Sequence, residues 1–369
     1  MIKEGKFGIR ESVTLTTVVL TSKVFYTSIS VLFKEASTAA WYTTLISCLV
    51  SMILFTIVCL LMKRYPNKNL VQIFDIVTGK FIGKILSLIF CAYFIFYSGA
   101  TIREFVEMVI SYVLPNTQPS VIITVLLLIV VAYAYVGIEG IARMSYVGFF
   151  CMIIGLITIL ILPYKFYDIN NLIPIGGYGV KKTFTVGLWR SSAYSEVIFL
   201  AFLANCLYGT EHLKKVGLIS LMLSGIIISM GTVCSLMAFE YSQGGENLSS
   251  LFQLSRIIFI SRFIQRIESI FIFIWVIASI INVSVTFYVA ISIFCKAFNV
   301  PNHRPCLFSF AYFTFMVTLI PKNISEASEI YIKSIRQYSL LITYFIPILV
   351  LLISVVRGNK GGKLTNEET

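Results

Sequence analysis

The sequence predicts an all-α integral membrane protein with about ten transmembrane helices. Of its 369 residues, 58% are hydrophobic and only 12% are charged. A soluble globular chain carries roughly 25% charged residues because its surface faces water, so much of this surface must face lipid. The mean hydropathy of +0.90 agrees with that reading. We therefore expect a single membrane domain over residues 1–369.

Ten segments are long and apolar enough to cross a bilayer core of about 30 Å as helices. Prolines lie at the ends of most segments, where a missing backbone N–H does little harm. Pro347 alone lies well inside a segment, and we expect a kink there. The N-terminal stretch resembles a signal peptide, but its apolar run continues past Lys23, so we interpret it as an uncleaved first span. The ten segments are 12–33, 40–62, 84–112, 119–136, 141–163, 186–208, 215–240, 264–295, 305–321 and 336–356.

The distribution of basic residues predicts the orientation. With the N-terminus inside, the inner loops hold 16 Lys and Arg residues and the outer loops hold 10. Inner loops are richer in Lys and Arg, so we expect both termini in the cytoplasm and contacts with anionic lipid rather than with nucleic acid. The tail over 358–369 is predicted to be disordered, and the outer connections 164–185 and 241–263 have room for short helices.

Metal and cofactor chemistry have no support in the sequence. The eight cysteines form no C-x-x-C pair and lie mostly in apolar runs, which is typical of packing residues. His212 and His303, the only histidines, fall in predicted loops. No catalytic motif and no phosphate loop is present, so we predict neither an enzyme nor a cofactor.

Two charged residues interrupt otherwise apolar segments. Lys23 lies about eleven residues into the first segment, and Glu196 about ten residues into the sixth, so each is roughly 15–17 Å deep. A charge near the bilayer centre indicates a functional site by default. Ser and Thr side chains nearby can form hydrogen bonds with the backbone groups that a break in the helix leaves without partners. The alternative is a buried ion pair that only packs the bundle.

The first and sixth segments hold equivalent positions if the chain consists of two five-helix halves, about 12–163 and 186–356. In transporters built from inverted repeats, the site lies between two such broken helices at the midplane. Tyr97 and Asn282 have a suitable depth, and the alternative for both is a hydrogen bond from helix to helix. The predicted ligand-binding residues are Thr21, Ser22, Lys23, Tyr26, Tyr97, Ser191, Tyr194, Ser195, Glu196 and Asn282.

Two further charged pairs have the four-residue spacing of one helix face. Arg103 and Glu107 are interpreted as a salt bridge in the outer part of the third segment, with the lining of an outer vestibule as the alternative. Glu139 and Arg143 are interpreted as an anchor at the cytoplasmic face.

Several short motifs, in order along nearly the whole chain, carry a resemblance to a known family. They are Lys63–Leu70, Gly79–Lys84, Arg103-Glu104-Phe105, Gly137–Arg143, Asn171-Leu172-Ile173-Pro174 and the region of Ser195-Glu196. The chain resembles the B subunits of the spore germinant receptors, a branch of the amino acid–polyamine–organocation transporter superfamily. One departure is Lys23, where relatives tend to have a small residue, so that a fixed ammonium replaces a coupling cation or holds a ligand carboxylate.

The resemblance implies a fold of the LeuT type with ten helices, of which helices 1 and 6 are broken. It also implies a location in the spore inner membrane and assembly with an A-type subunit and a lipoprotein C-type subunit. The function it implies is sensing of a small germinant, often an amino acid. One alternative is a secondary active amino-acid permease. Another is a membrane enzyme, but the sequence offers no candidate nucleophile and base for it.

Overall fold

The computed structural model describes residues 5–207, 212–258, 267–321, 326 and 338–358. Within these ranges nearly every residue is helical. The described residues contain no β-sheet, and their β-structure is limited to an isolated bridge between Phe7 and Leu207. The helices are α1 Ile9–Thr21, α2 Ser28–Ala36, α3 Ala40–Arg64, α4 Leu70–Thr78, α5 Lys80–Tyr112, α6 Pro119–Val136, α7 Ile138–Ile161, α8 Val180–Trp189, α9 Phe199–Phe202, α10 Leu213–Ala238, α11 Tyr241–Glu246, α12 Ser250–Arg256, α13 Glu268–Ala297, α14 Leu307–Leu319 and α15 Tyr338–Val356.

The prediction of an all-α membrane protein is confirmed. In the described part of the chain, seven helices are long and apolar enough to cross a membrane. The three other predicted segments are also helical but depart from a single long helix. The first is divided between α1 and α2 and the sixth between α8 and α9, whereas the ninth is the shorter helix Arg304–Leu319.

Helix α4 is an element that the segment prediction missed. The Asn69 side chain accepts a hydrogen bond from the Gln72 backbone N–H at 3.0 Å, and the Gln72 side chain accepts one from the Asn69 N–H at 3.1 Å. This reciprocal capping box starts the helix. Its apolar face then packs against α5, which begins at Lys80 rather than at 84. The buried residues of α4 are Leu70, Val71, Ile73, Phe74 and Val77.

The two connections predicted to lie outside hold short helical elements, as expected. These are the 3₁₀ turns Tyr164–Phe166 and Ile169–Leu172 and the short helices α11 and α12. A turn of π-helix at Leu341–Phe345 stands directly before Pro347, where the missing N–H interrupts the α-helical ladder. The division into two repeats stays a prediction, and nearly all of the tail, 358–369, lies outside the described residues.

Helix α13 lies at the centre of the bundle, in contact with α5, α6 and α7. Around it, α1 packs against α7 and α10, and α10 packs against α3. The outer surfaces carry large exposed apolar side chains, among them Leu128, Val147 and Phe308, as a surface in contact with lipid does. None of the eight cysteines forms a disulfide bond in the structure. Five of them are buried as packing residues: Cys48, Cys59, Cys91, Cys206 and Cys295.

Candidate ligand site at two helix breaks

The first helix break lies between α1 and α2. A single 3₁₀ turn covers Ser22–Phe25, and Tyr26 and Thr27 separate it from α2. The Thr21 hydroxyl donates to the Thr17 carbonyl at 2.6 Å, and the Ser22 hydroxyl donates to the Val19 carbonyl at 2.9 Å. Such side chains offer carbonyl groups an alternative to the helical ladder, so the sequence stops the helix here.

The second break is longer. Between α8 and α9 the chain forms nine residues of 3₁₀-helix, Arg190–Ile198. Runs of this kind rarely exceed three or four residues, and inside a helix they often mark a hinge. The Ser191 hydroxyl donates to the Leu188 carbonyl at 2.7 Å, and Ser51 on α3 donates to the Ser191 carbonyl at 2.8 Å. A hydroxyl group of the segment thus satisfies a carbonyl in the last turn of α8, and a hydroxyl group of α3 satisfies a carbonyl of the segment.

Lys23 and Glu196 join the two breaks. The Lys23 Nζ lies 2.7 Å from Glu196 Oε2, and both side chains are over 90% buried. The ring of Tyr194 adds a cation–π contact, with its centroid 5.8 Å from Nζ. Removing each charged side chain from water costs roughly several kcal/mol. The attraction between the two charges and their further polar contacts must offset that cost. The prediction that these two residues meet across the breaks agrees with this geometry.

Polar side chains of α5 and α13 complete the surroundings of the pair. Tyr97 on α5 lies beside both Glu196 and Asn282. The Asn282 amide donates to the Ser22 hydroxyl at 2.8 Å, while its oxygen Oδ1 is buried with no hydrogen-bond partner among the described residues. The Ser195 hydroxyl lies 3.4 Å from the hydroxyl of Tyr93. A buried acceptor without a donor is unusual, and Asn282 reaches the ion pair through Tyr97, which lies beside Glu196 as well.

Glu104 holds the start of α2. Its carboxylate accepts hydrogen bonds from the Thr27 backbone N–H, at 3.1 Å, and from the Thr27 hydroxyl. A carboxylate at the positive end of a helix dipole is favourable, so the protein supplies its own anion at this helix terminus. The neighbouring Arg103 and Glu107 form the predicted ion pair at 2.6 Å, and both are buried.

Not every predicted site residue points to the ion pair. The hydroxyls of Thr21 and Ser191 bond back to their own helices, as described above. Tyr26 is turned toward α13, where its hydroxyl donates to Ser279 Oγ at 2.6 Å. The predicted ligand residues thus lie within one polar shell, but only part of that shell surrounds the two charges.

The other predicted charged pair is also present. Glu139 and Arg143 form an ion pair at 2.5 Å.

A small cavity adjoins Lys23 on the side of α2 and α3. Its volume is about 10 Å³, which is the space of about one water molecule, so no ligand of amino-acid size fits there in this conformation. Of the lining residues, the sequence predicted Lys23 and Tyr194 as ligand-binding residues and did not select the others. Those residues are Ser28, Leu32, Thr44, Ser47, Arg190, Ala193 and Ile228.

Aromatic rings pack around α9. The ring centroid of Phe202 on α9 lies 4.9 Å from that of Phe90, 6.1 Å from that of Phe94 and 6.4 Å from that of Phe74 on α4. All four side chains are fully buried. Tight ring packing of this kind fixes α9 against α4 and α5.

The architecture matches a known class of membrane transporter. A Na⁺-coupled sialic acid symporter, solved in a substrate-bound outward-open state, superposes on this chain with a TM-score of 0.63 and 11% sequence identity. The match covers 92% of this chain and 79% of that chain. The fold is therefore that of a LeuT-type transporter with helices 1 and 6 broken, as the sequence predicts.

Sequence comparison shows the family to which the chain belongs. The family model described as "Spore germination protein" matches residues 11–327, and the chain belongs to that family. Spore germination protein KB of Bacillus subtilis is 24% identical over 278 residues, which are 73% of this chain and 74% of that protein. Spore germination protein YndE of the same organism is 25% identical over 333 residues, covering 87% and 88%. The chain is thus a membrane permease-like protein of spore germination.

Proposed function

We propose that this protein is the membrane subunit of a germinant receptor, which binds a small germinant, an amino acid, between the two helix breaks. The observation that carries the proposal is the buried pair of Lys23 and Glu196, 2.7 Å apart where the breaks meet. An ion pair is an expensive way to pack two helices, because apolar residues of similar size often do so at lower cost. A pair placed at two breaks is better explained as a ligand site.

A zwitterionic ligand suits this pair. Its carboxylate would lie near Lys23 and its ammonium near Glu196, so that one ion pair is replaced by two. A cavity of about 10 Å³ is too small for such a ligand, so the helices must part before it binds. Binding would then select a different arrangement of the half-helices, and that change of shape is the signal.

The resemblance adds partners and a location to the proposal. The protein would act together with an A-type subunit and a lipoprotein C-type subunit in the spore inner membrane, with both termini in the cytoplasm. Its conformational change would then be read by a neighbouring subunit, and no solute would need to cross.

Charge-neutralising variants of the pair test the proposal. Lys23→Met and Glu196→Gln should each abolish the germination response of spores to a panel of amino acids, while protein remains in the membrane. Each single variant leaves one buried charge unpaired, so both also fail if the pair is purely structural.

The double variant Lys23→Met/Glu196→Gln separates the two explanations. With neither charge present, a merely structural pair is replaced at little cost and the response returns. If the charges hold ligand, the double variant stays unresponsive although it is folded. Normal germinant sensitivity in the double variant would therefore end the proposal.

A second candidate function is a secondary active amino-acid permease. The observation in its favour is the fold, which is shared with a Na⁺-coupled symporter. Uptake of labelled amino acid by the purified protein in liposomes would favour this alternative, and binding without uptake would favour the receptor.

A further inference from the structure

The cavity beside Lys23 lies between two cationic side chains. Lys23 borders it from the first break, and Arg190 borders it from the start of the second. The hydroxyl-bearing residues Ser28, Thr44 and Ser47 also line it. Thr44 and Ser47 donate their hydroxyl hydrogens to backbone carbonyls, so the two cations are what suits this space to a carboxylate.

Arg190 is held by a carboxylate of the protein itself. Its Nη1 donates to Glu35 Oε2 at 2.9 Å, and its Nη2 donates to the carbonyl and the hydroxyl of Ser28, at 3.2 and 3.3 Å. These bonds join the start of the second break to both ends of α2. The Arg190–Glu35 pair therefore ties the two outer half-helices, α2 and α8, together over the cavity.

The two ion pairs at the cavity differ in how easily they part. The side chains of Lys23 and Glu196 are 9% and 5% exposed, whereas those of Arg190 and Glu35 are 12% and 40% exposed. A carboxylate that leaves its partner for water loses little, but one that stays buried and unpaired is costly. Glu35, the most exposed of the four, is therefore the side chain that an incoming anion displaces most easily.

Helix N-termini attract anions through free backbone N–H groups. At the start of α2, the Thr27 N–H already donates to the Glu104 carboxylate. A ligand carboxylate there would be repelled by that negative charge, so the two cations at the cavity are the better position for it.

We propose that the cavity is a carboxylate subsite, where a ligand carboxylate lies between Lys23 and Arg190 after it has displaced Glu35 from Arg190. Glu35 is then both the closure of the outer side and an internal competitor of the ligand. The inference rests on the proposed ligand site, because it names the chemical group bound there and the side chain that guards it.

Chemical labelling of the cavity tests the closure without any knowledge of the germinant. Ala193 lines the cavity, so Ala193→Cys in the full chain, reconstituted in nanodiscs, places a thiol there. Mass spectrometry of the peptide with position 193 separates its labelling from that of the eight native cysteines. Glu35→Gln keeps the shape of the side chain but removes the charge, and should speed labelling about fivefold, the upper range for a partly exposed pair.

Glu246→Gln is the matched control. Glu246 pairs at 3.3 Å with Lys34, the residue before Glu35, and its side chain is 81% exposed. Its partner Lys34 does not line the cavity, whereas Arg190, the partner of Glu35, does. This control should label at the parental rate. If Glu35→Gln also labels at the parental rate, the pair does not close the cavity and the inference is overturned.

Acetate tests the carboxylate subsite. It should slow the labelling of Cys at position 193, more strongly with Glu35→Gln than with Glu35, while acetamide and chloride should not. Arg190→Gln, shown to be folded by gel filtration, should lose the acetate effect. Equal effects of acetate and acetamide would refute the subsite. Acetate protection together with a responsive double variant of Lys23 and Glu196 would instead refute the germinant-site proposal and leave the subsite standing.

Discussion

Glu104 shows how one side chain shapes the first helix break. It is buried, and it satisfies the N–H and the hydroxyl of Thr27, the residue before α2. A carboxylate fixed by α5 in this way sets where α2 can begin. From the sequence, Glu104 had no role of its own beside the charged pair of Arg103 and Glu107, because the helix it caps is distant along the chain.

Replacing Glu104 should destabilise the protein through this cap. Glu104→Ala leaves the buried Thr27 N–H without its acceptor, and the expected loss is about 1–3 kcal/mol. Glu104→Gln keeps an acceptor oxygen and should lose less. The order of melting temperatures in detergent, wild type above Glu104→Gln above Glu104→Ala, is the measurement.

Glu139→Gln serves as the control for a lost carboxylate. Its ion pair with Arg143 lies on an exposed helix face, with side chains 39% and 69% exposed, and is worth about 0.5 kcal/mol or less. A Glu104→Ala protein that melts as high as this control would show that the cap contributes nothing.

The candidate site was predictable in part at this scale. Lys23 and Glu196 stand out because charges are costly in an apolar segment, and their depths match. Arg190 was visible only as a polar flank, and Thr44 and Ser47 were not distinguished at all. Sequence position gives the depth of a residue, whereas the direction of its side chain depends on how helices pack, and hydroxyl residues are common in membrane helices.

At the scale of the element, α3 and α10 illustrate how small residues set helix distances. A Cβ at Gly217 on α10 would lie 2.1 Å from Cε1 of Phe55, a fully buried ring on α3. The absent side chain therefore allows the two backbones to approach, as small residues do between membrane helices.

Gly217→Ala should separate this helix pair. Overpacking of a tight contact costs about 1–3 kcal/mol, which should lower the melting temperature in detergent. Gly176→Ala is the control, because a Cβ there has no neighbour within 4 Å. If both variants melt together, the contact of α3 with α10 tolerates the added methyl group and the explanation is wrong.

Elements of different length were predictable to different degrees. Long helices such as α3 and α7 follow from hydrophobic segments alone. Helix α4 was missed because a search for membrane spans passes over nine residues, although its capping box was readable at Asn69 and Gln72. The two breaks were expected from polar interruptions, but nothing in the letters indicated that the second would be a 3₁₀-helix.

At the scale of the whole molecule, basic residues connect the ends of several helices at one face of the bundle. Arg64 at the end of α3 donates to the carbonyl of Ser354 at 3.1 Å, and Arg357 after α15 donates to that of Val77 on α4 at 2.7 Å. Cations beside such carbonyl groups are favourable. The excess of Lys and Arg in the loops assigned to this face predicts that it is cytoplasmic.

Labelling of the tail tests this orientation. A cysteine placed at Asn366, which lies outside the described residues, should react with a membrane-impermeant reagent only after the membrane is permeabilised. A cysteine placed in the connection 164–185 is the control and should react in intact protoplasts. Reaction at Asn366 from outside would invert the topology.

The nine-residue 3₁₀ segment has a mechanical consequence. A 3₁₀-helix rises about 0.5 Å more per residue than an α-helix and turns about 20° further. Rewinding Arg190–Ile198 as α-helix would therefore shorten the segment by about 4 Å and swing Glu196 through about a third of a turn relative to Arg190. Such a rewinding would couple rotation at the buried charges to displacement of α8 along the helix axis.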